Sequence, residues 1–143
     1  MSEYYFPGDS DIRESVAASG SRVIRFGSRI VQRLSNTDVD AQHGVLTAAQ
    51  IAGGIITHTS ATGAGTVSID SATNIIAGTA ALATTNDCVE VFYINDGNQT
   101  LTLAAGTGIT ISDTGQTIAA DEAAILLFQR TSATAVTCYV LGA

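Results

Sequence analysis

Residues with reactive or metal-binding side chains are few and widely spaced in this chain. His43 and His58 are its two histidines, and neither stands at a zinc-site spacing from a cysteine or from the other. The polar stretch 35–44 contains Asp38, Asp40 and His43, a set that could hold a hard cation. Acids in a polar connecting segment are more often simply hydrated, so the sequence predicts no metal site.

The spacing of polar residues also gives no indication of nucleophilic or acid–base catalysis. A serine triad would need one of two isolated histidines in a preorganised pocket, and no motif points to one. Asp121 and Glu122 are adjacent carboxylates, but neighbours at the start of a predicted strand point to opposite faces. Two GxG pairs lack a following helix and a lysine, and they therefore indicate turns: Gly63 with Gly65, and Gly106 with Gly108. The pattern predicts a building or binding protein and not an enzyme.

The two cysteines, Cys88 and Cys138, are too few for a disulfide framework, and we expect free, half-buried thiols in strands. The acidic start MSEYYFPGDSD is unlike a secretory signal, and no apolar run approaches the roughly 20 residues of a membrane span. The net charge of −7 disfavours nucleic acid as a partner. We therefore expect a protein made in a cytosol, with no nucleic-acid and no membrane partner.

Charge divides the chain into two parts. Five of the six arginines lie in the first 40 residues against six acids, giving −1, whereas from residue 41 onward Arg130 faces seven acids, giving −6. The first part contains a short repeat, GSRVIRF at 20–26 and GSRIVQR at 27–33. The sequence predicts an extended N-terminal arm at 1–44 that lies on another surface. The alternative is that the repeat forms two core strands.

The strongest local pattern is CVEVFYINDGNQTLT, residues 88–102. Its first half is dense in β-branched and aromatic residues, which suit a pleated, half-buried surface. Asp96 and Gly97 suit a tight two-residue turn, and Leu101 and Leu103 then alternate with threonines. The stretch predicts a β-hairpin.

Short strand patterns separated by turn residues fill the rest of the chain after residue 45. They predict strands at 55–59, 66–70, 108–112, 116–119, 123–130 and 135–141. A short helix is predicted at 46–54, 71–82 is either a helical turn or a loop, and 123–130 is predicted to be buried on both faces. Residues 45–143 are therefore expected to form an all-β body, a sandwich or barrel (jelly-roll or tulip-like) of short antiparallel strands.

Three stretches of this body carry a resemblance: LTAAQIAGGII, LTLAAGTG and AAILLFQRTSATAVTCYVL. They resemble the β-domain of tailed-phage virion proteins, namely capsid decoration (cement) proteins and head-fibre or tail-fibre modules. The resemblance covers residues 45–143. It implies a homotrimer of β-sandwich or tulip-like domains, with no cofactor and no catalysis.

Arm and resemblance together predict a cement protein that binds the outside of a phage head. Its partners would be the major capsid protein and two further copies of itself, and it would reach the virion surface after synthesis in the host cytoplasm. The predicted capsid-binding residues are aromatic anchors and arginines of the arm: Tyr4, Tyr5, Phe6, Arg22, Arg25, Phe26, Arg29 and Arg33. The alternative is a head-fibre or tail-fibre adhesin module that binds a host receptor or glycan. Its candidate contacts are Tyr93, Tyr139, Asn95 and Asn98.

Overall fold

The structure is a computed structural model, and it divides the chain into two compact units, Met1–Arg33 and Leu34–Ala143. The structure describes residues 34–39, 43–59, 63–112 and 116–142 in full. In the first unit it describes the backbone of three short strands. The division falls eleven residues before the end of the predicted arm. Residues 35–39 and 43–44, which the sequence analysis placed in the arm, belong to strands of the second unit that span 35–39 and 43–46.

The first unit contains strands β1 (Ile12–Val16), β2 (Arg22–Phe26) and β3 (Arg29–Ile30). They form an antiparallel sheet in the order β1-β2-β3. Each copy of the GSR repeat supplies one strand, and the two strands pair with each other. The expectation of a simple extended arm is therefore wrong in this region, because the repeat folds back on itself.

The second unit alternates strands with two short helices. In chain order its described elements are β4 (Ser35–Val39), β5 (His43–Leu46), α1 (Ala48–Gly53), β6 (Gly54–His58), β7 (Gly65–Ile69), α2 (Ala72–Gly78), β8 (Cys88–Asn95), β9 (Leu101–Ala104), β10 (Ile109–Ile111), β11 (Thr117–Ile118), β12 (Glu122–Arg130) and β13 (Val136–Leu141). Most predicted strands after residue 54 are confirmed within one or two residues. The predicted first helix is α1, and the stretch 71–82 forms α2 and a 3-10 turn, Ala80–Leu82.

The strands form a six-stranded sheet, β10-β13-β12-β8-β6-β4, and a four-stranded sheet, β11-β9-β7-β5. In the larger sheet β4, β6 and β8 are parallel, as are β5, β7 and β9 in the smaller one. β12 runs antiparallel to both β8 and β13, and β10 runs parallel to β13. The expectation of an all-β antiparallel sandwich is wrong: the fold is mixed α/β.

The parallel pairing follows from the path of the chain. A strand of the large sheet is followed by a strand of the small sheet, and the chain then returns through a helix to the large sheet. The sequences β4-β5-α1 and β6-β7-α2 both follow this order. Because each return passes through a second strand and a helix, successive strands of one sheet run in the same direction.

Local chemistry fixes where the returning helices start and stop. Thr47 caps α1 in a capping box with Gln50, since the Thr47 hydroxyl accepts from the Gln50 N–H and the Gln50 side chain accepts from the Thr47 N–H. Gly54 ends the helix at φ 80°, a left-handed conformation that glycine adopts without steric cost. Ser71 caps α2 by accepting from the Asn74 N–H.

The predicted hairpin at 88–102 is wrong, although both of its strands exist. β8 pairs with β6 and β12 in the large sheet, whereas β9 pairs with β7 and β11 in the small sheet. The loop 96–100 therefore carries the chain from one sheet to the other. The buried Asn95 side chain holds this loop by donating to the carbonyl of Gln99 (2.8 Å) and accepting from the N–H of Gly97 (3.2 Å).

Both sheets and both helices contribute to one hydrophobic core. β12 alternates buried with half-buried residues, so it is buried on one face and not on both as predicted. The largest fully buried apolar side chains are Leu46, Ile51, Ile56, Ile69, Ile75, Leu82, Tyr93, Leu101, Ile118, Leu126 and Phe128. Burying such side chains contributes roughly 1.5–3 kcal/mol each relative to leaving them exposed.

Candidate functional site

The outer face of the six-stranded sheet carries a continuous set of apolar side chains. The strand register aligns Ile55 of β6, Phe92 of β8, Ile125 of β12 and Leu141 of β13 in one row across four strands. Neighbouring strands lie about 4.8 Å apart, so the row is roughly 15 Å wide. Intervening residues of the same strands enter the core, because successive side chains point to opposite faces.

The two adjacent rows extend this surface. On one side Ile94 and Ala123 lie opposite each other, and on the other side Leu127 lies between Glu90 and Tyr139. We call the apolar members of the three rows the apolar face. Its residues are Ile55, Phe92, Ile94, Ala123, Ile125, Leu127, Tyr139 and Leu141.

Several side chains of the apolar face are well exposed to solvent. The exposed fractions are 41% for Phe92, 37% for Ile94, 36% for Tyr139 and 53% for Leu141. A shallow groove of about 450 Å³ opens between these strands, and its lining is almost entirely apolar. Exposed apolar patches of a few hundred Å² on a folded unit mark interaction surfaces more often than single exposed residues do.

Charge is scarce on this face, although the unit is acidic. In the three rows across β6, β8, β12 and β13, Glu90 is the one ionisable acid. Arg130, the arginine of this unit, is turned to the loop after α2. Its guanidinium donates to the backbone carbonyls of Leu82 (3.1 Å) and Ala83, and to that of Ser132 (3.0 Å). This cation therefore stabilises a loop and is not presented to a partner.

A second cluster of polar groups lies inside the unit. His58 Nδ1 and the Tyr93 hydroxyl are 2.8 Å apart, and both side chains are fully buried. Burial raises the pKa of Tyr93, since the phenolate would lose its hydration. A phenol that is shielded from solvent and kept neutral contributes to the packing and hydrogen bonding of the core.

The glycan-binding candidates are not brought together. Tyr93 and Asn95 are fully buried, and the Asn95 amide donates to the Ile118 carbonyl in addition to its loop contacts. Tyr139 lies on the apolar face, where its hydroxyl donates to Gln129 Oε1 at 3.2 Å, and Asn98 is exposed in the loop 96–100. Two of the four candidates are therefore core residues of this fold.

The residues considered for a hard cation make separate contacts. Asp38 Oδ1 accepts from the Thr59 hydroxyl at 3.3 Å, and His43 Nδ1 accepts from the Thr66 N–H at 3.2 Å. Asp40 lies outside the described residues. Within 34–39, 43–59, 63–112 and 116–142, no three potential metal ligands converge.

The two cysteines differ in environment. Cys138 is buried on β13, and burial raises the pKa of its thiol to about 12. Cys88 is exposed at the start of β8, whereas the sequence analysis expected both thiols to be half-buried. Both are free, as expected, and only Cys88 is accessible to reagents in the folded unit.

Half of the predicted capsid-binding residues fall on described backbone. Arg22, Arg25 and Phe26 lie on β2 and Arg29 lies on β3, and the register places Arg25 opposite Arg13 of β1. The remaining four lie outside the described residues: Tyr4, Tyr5, Phe6 and Arg33. One small sheet therefore groups three of the four arginines named for binding, at the level of the backbone.

The sequence analysis missed the apolar face. One signal was present: the run at 89–94 is apolar at almost every position, so Phe92 and Ile94 had to lie on the face opposite the core. The alignment of these residues with Ile125 and Leu141 depends on pairing between distant strands, which no local pattern reveals.

Comparison with known proteins returns no match: no family model, no curated protein and no solved structure corresponds to the chain. The resemblance to phage virion proteins therefore stays a prediction from the sequence. In the part of the chain that the structure describes, no helix has the length and apolar character to cross a membrane.

Proposed function

We propose that the protein is a structural protein of a tailed-phage virion, a capsid decoration protein that binds the outside of the head as a homotrimer. The first unit, residues 1–33, contacts the major capsid protein, and the second unit forms the exposed body. The observation that carries this proposal is the distribution of charge between the two units.

Dividing the chain after Arg33, where the first unit ends, separates the charges more sharply than dividing it after residue 40. Residues 1–33 contain five arginines and four acids, a net charge of +1, whereas residues 34–143 contain one arginine and nine acids, a net charge of −8. The single arginine of the body is engaged with backbone carbonyls. Cationic contacts with an acidic surface are therefore available from the first unit and not from the body.

Such a division suits a protein that stabilises a shell by docking on it. A ligand that binds only the assembled lattice stabilises it by RT ln(1 + [L]/Kd), so tight binding directly raises the shell's resistance to disruption. Three copies joined together add avidity without new kinds of contact. Arginine is suited to this role because its planar guanidinium forms two hydrogen bonds with one carboxylate.

Substitution of the four repeat arginines tests the proposal on purified heads. The variant replaces Arg22, Arg25, Arg29 and Arg33 with serine, and a matched control replaces the same residues with lysine. Truncating one partner of a buried interfacial pair costs about 2–5 kcal/mol, whereas exposed pairs contribute about 0–1 kcal/mol each. We expect the serine variant to lose occupancy on heads, the lysine control to retain part of it, and the body of both to melt at the unchanged temperature.

The copy number and position of the protein on the virion distinguish the alternative function. Cryo-electron microscopy of the virion should show many copies at icosahedral or quasi-threefold positions. A few copies at one vertex or on the tail would instead identify a fibre or adhesin module. Full occupancy of heads by the serine variant would contradict attachment through residues 1–33.

A further inference from the structure

We propose that the apolar face of the six-stranded sheet is the surface through which copies of this chain contact one another, with each face turned toward the axis of the assembly. The inference rests on the proposed homotrimer for the number of copies, but the choice of surface rests on the structure of the body. We choose a second copy as the partner because of the area of the apolar face, its scarcity of charge and the lack of polar side chains in its groove.

The size of the apolar face matches the apolar core of a protein–protein contact. Taking about 200 Å² for a fully exposed large side chain, the four most exposed residues present roughly 330 Å². The remaining members, the exposed Ala123 and the half-buried Ile55, Ile125 and Leu127, raise this to roughly 450–500 Å². A standard interface buries about 800 Å² on each partner, of which about 56–65% is apolar, or about 450–520 Å². The face is thus about as large as one copy needs for a contact with one neighbouring copy.

Charge favours a second copy over a basic partner. A cationic partner would be attracted by the acids of the body, yet the apolar face is the part where these acids are scarce, with Glu90 at one side and Asp38 on β4 at the edge of the sheet. A second copy brings an equally charge-poor face and leaves its own acids at the rim, where salt at physiological ionic strength screens charges more than a Debye length of about 8 Å apart.

The groove lacks the features of a small-molecule site. Such sites combine an apolar wall with several convergent polar groups that orient the ligand. Here the lining residues are Ile55, Phe92, Ile94, Ala123, Ala124, Ile125, Leu141 and Gly142, which offer no polar side chain. An apolar surface without orienting groups suits the interdigitating side chains of another sheet face.

Substitution of two exposed residues tests the proposal in the full chain. The variant Phe92→Ser with Leu141→Ser removes the two large side chains of the apolar face with the highest exposed fractions, and both are exposed enough to be changed without opening the core. The matched control is Val45→Ser, because Val45 is 52% exposed but lies on β5 of the other sheet. Sedimentation should give three times the 14.6 kDa chain mass for the unmutated protein and the control. The double variant should sediment as a monomer, with a self-association constant weakened by at least about tenfold.

Hydroxyl-radical footprinting of the unmutated protein tests the same surface without any substitution. Phe92 and Tyr139 should be oxidised more slowly at concentrations where the protein is oligomeric than after dilution to the monomer, whereas Val45 should not change. If Phe92 is oxidised at one rate throughout, the inference is wrong. Protection that persists in a monomer would also overturn it, because the face would then be covered within one chain.

Salt separates this inference from the proposed attachment to the capsid. Each copy carries a net charge of −7, so added salt should screen repulsion between copies and strengthen their association. Binding of the arginines to heads should weaken in the same titration. A protected face in a dimer would support the surface and contradict the homotrimer. An oligomer that dissociates in salt would show that ion pairs hold it, which overturns the inference.

Discussion

Replacement of Asn95 by alanine should destabilise the second unit strongly, because one side chain ties together three segments of the chain. The Asn95 amide nitrogen lies 2.8 Å from the carbonyl oxygen of Gln99, 3.0 Å from that of Ile118 and 2.9 Å from that of Ala119. Its oxygen accepts from the Gly97 N–H at 3.2 Å. The side chain is fully buried, so water cannot replace these bonds in the folded unit.

The magnitude follows from counting the bonds that the amide can make at once. Two N–H groups and one oxygen give three full hydrogen bonds, each contributing about 1 kcal/mol net. Buried carbonyls left without a donor cost further free energy, so we expect a loss of about 3–5 kcal/mol. For a domain whose free energy of unfolding is about 5–15 kcal/mol, this is a large fraction of the total.

Urea denaturation followed by circular dichroism measures the loss. With a slope of about 2 kcal/mol per molar urea, the midpoint should fall by roughly 1.5–2.5 M with an unchanged slope. Asn98→Ala is the matched control, since Asn98 is exposed three residues later in the same loop, and its effect should stay within about 0.5 kcal/mol. Asn95→Asp keeps the acceptor but has no donor at neutral pH, and it should be at least as destabilising as alanine.

Equal midpoints for the Asn95 and Asn98 variants would refute the assignment of Asn95 as the residue that holds the loop. The result would also reopen Asn95 as a surface contact of the kind considered for a glycan. Protein concentration must be the same for all variants, because association of copies adds to the apparent stability.

Three further results are expected. Burial raises the pKa of Cys138 from 9.0 to about 12 and also raises that of Tyr93, so these groups ionise at lower pH in the unfolded chain than in the folded one. The free energy of unfolding should therefore fall as pH rises from 9 toward 12. A Cys138→Ala, Tyr93→Phe variant whose free energy of unfolding falls equally steeply with pH would contradict this. Gly106→Ala should cost about 3 kcal/mol in urea denaturation, since a Cβ there would lie 2.0 Å from a backbone oxygen, and a loss below about 1 kcal/mol would contradict it. A chain beginning at Leu34 keeps every strand of both sheets and should melt cooperatively, whereas one beginning at Gly44 loses β4 and should melt at a lower temperature; equal melting would contradict this.

Local patterns in the sequence were sufficient to locate most elements of the body. Apolar runs and alternation of apolar and polar residues marked the strands from β6 to β13, and helix-forming residues closed by Gly53 and Gly54 marked α1. These features depend on contacts between residues close together in the chain. The same reasoning identified the charge division, since the placement of arginines needs no knowledge of the fold.

Pairing of strands depended on the tertiary structure. Asp96 and Gly97 are compatible with a hairpin turn, but β8 forms its hydrogen bonds with β6 and β12, and the chain leaves for the other sheet. A turn signal shows that the chain changes direction and does not show which strand will pair with which. The parallel order of β4, β6 and β8 arises from returns through a second sheet, and no short window of sequence contains it.

For the candidate site, too, the sequence determined some features and the tertiary structure determined the others. The sequence alone determined that Phe92, Ile94 and Leu141 are apolar residues of strands, and that the charge of the body is acidic. Only the tertiary structure decided that Phe92 aligns with Ile125 and Leu141 on the outer face, while Tyr93 and Asn95 point into the core. The physical reason is that an exposed patch is a property of neighbouring strands, and their register is set by core packing between residues that are distant in the chain.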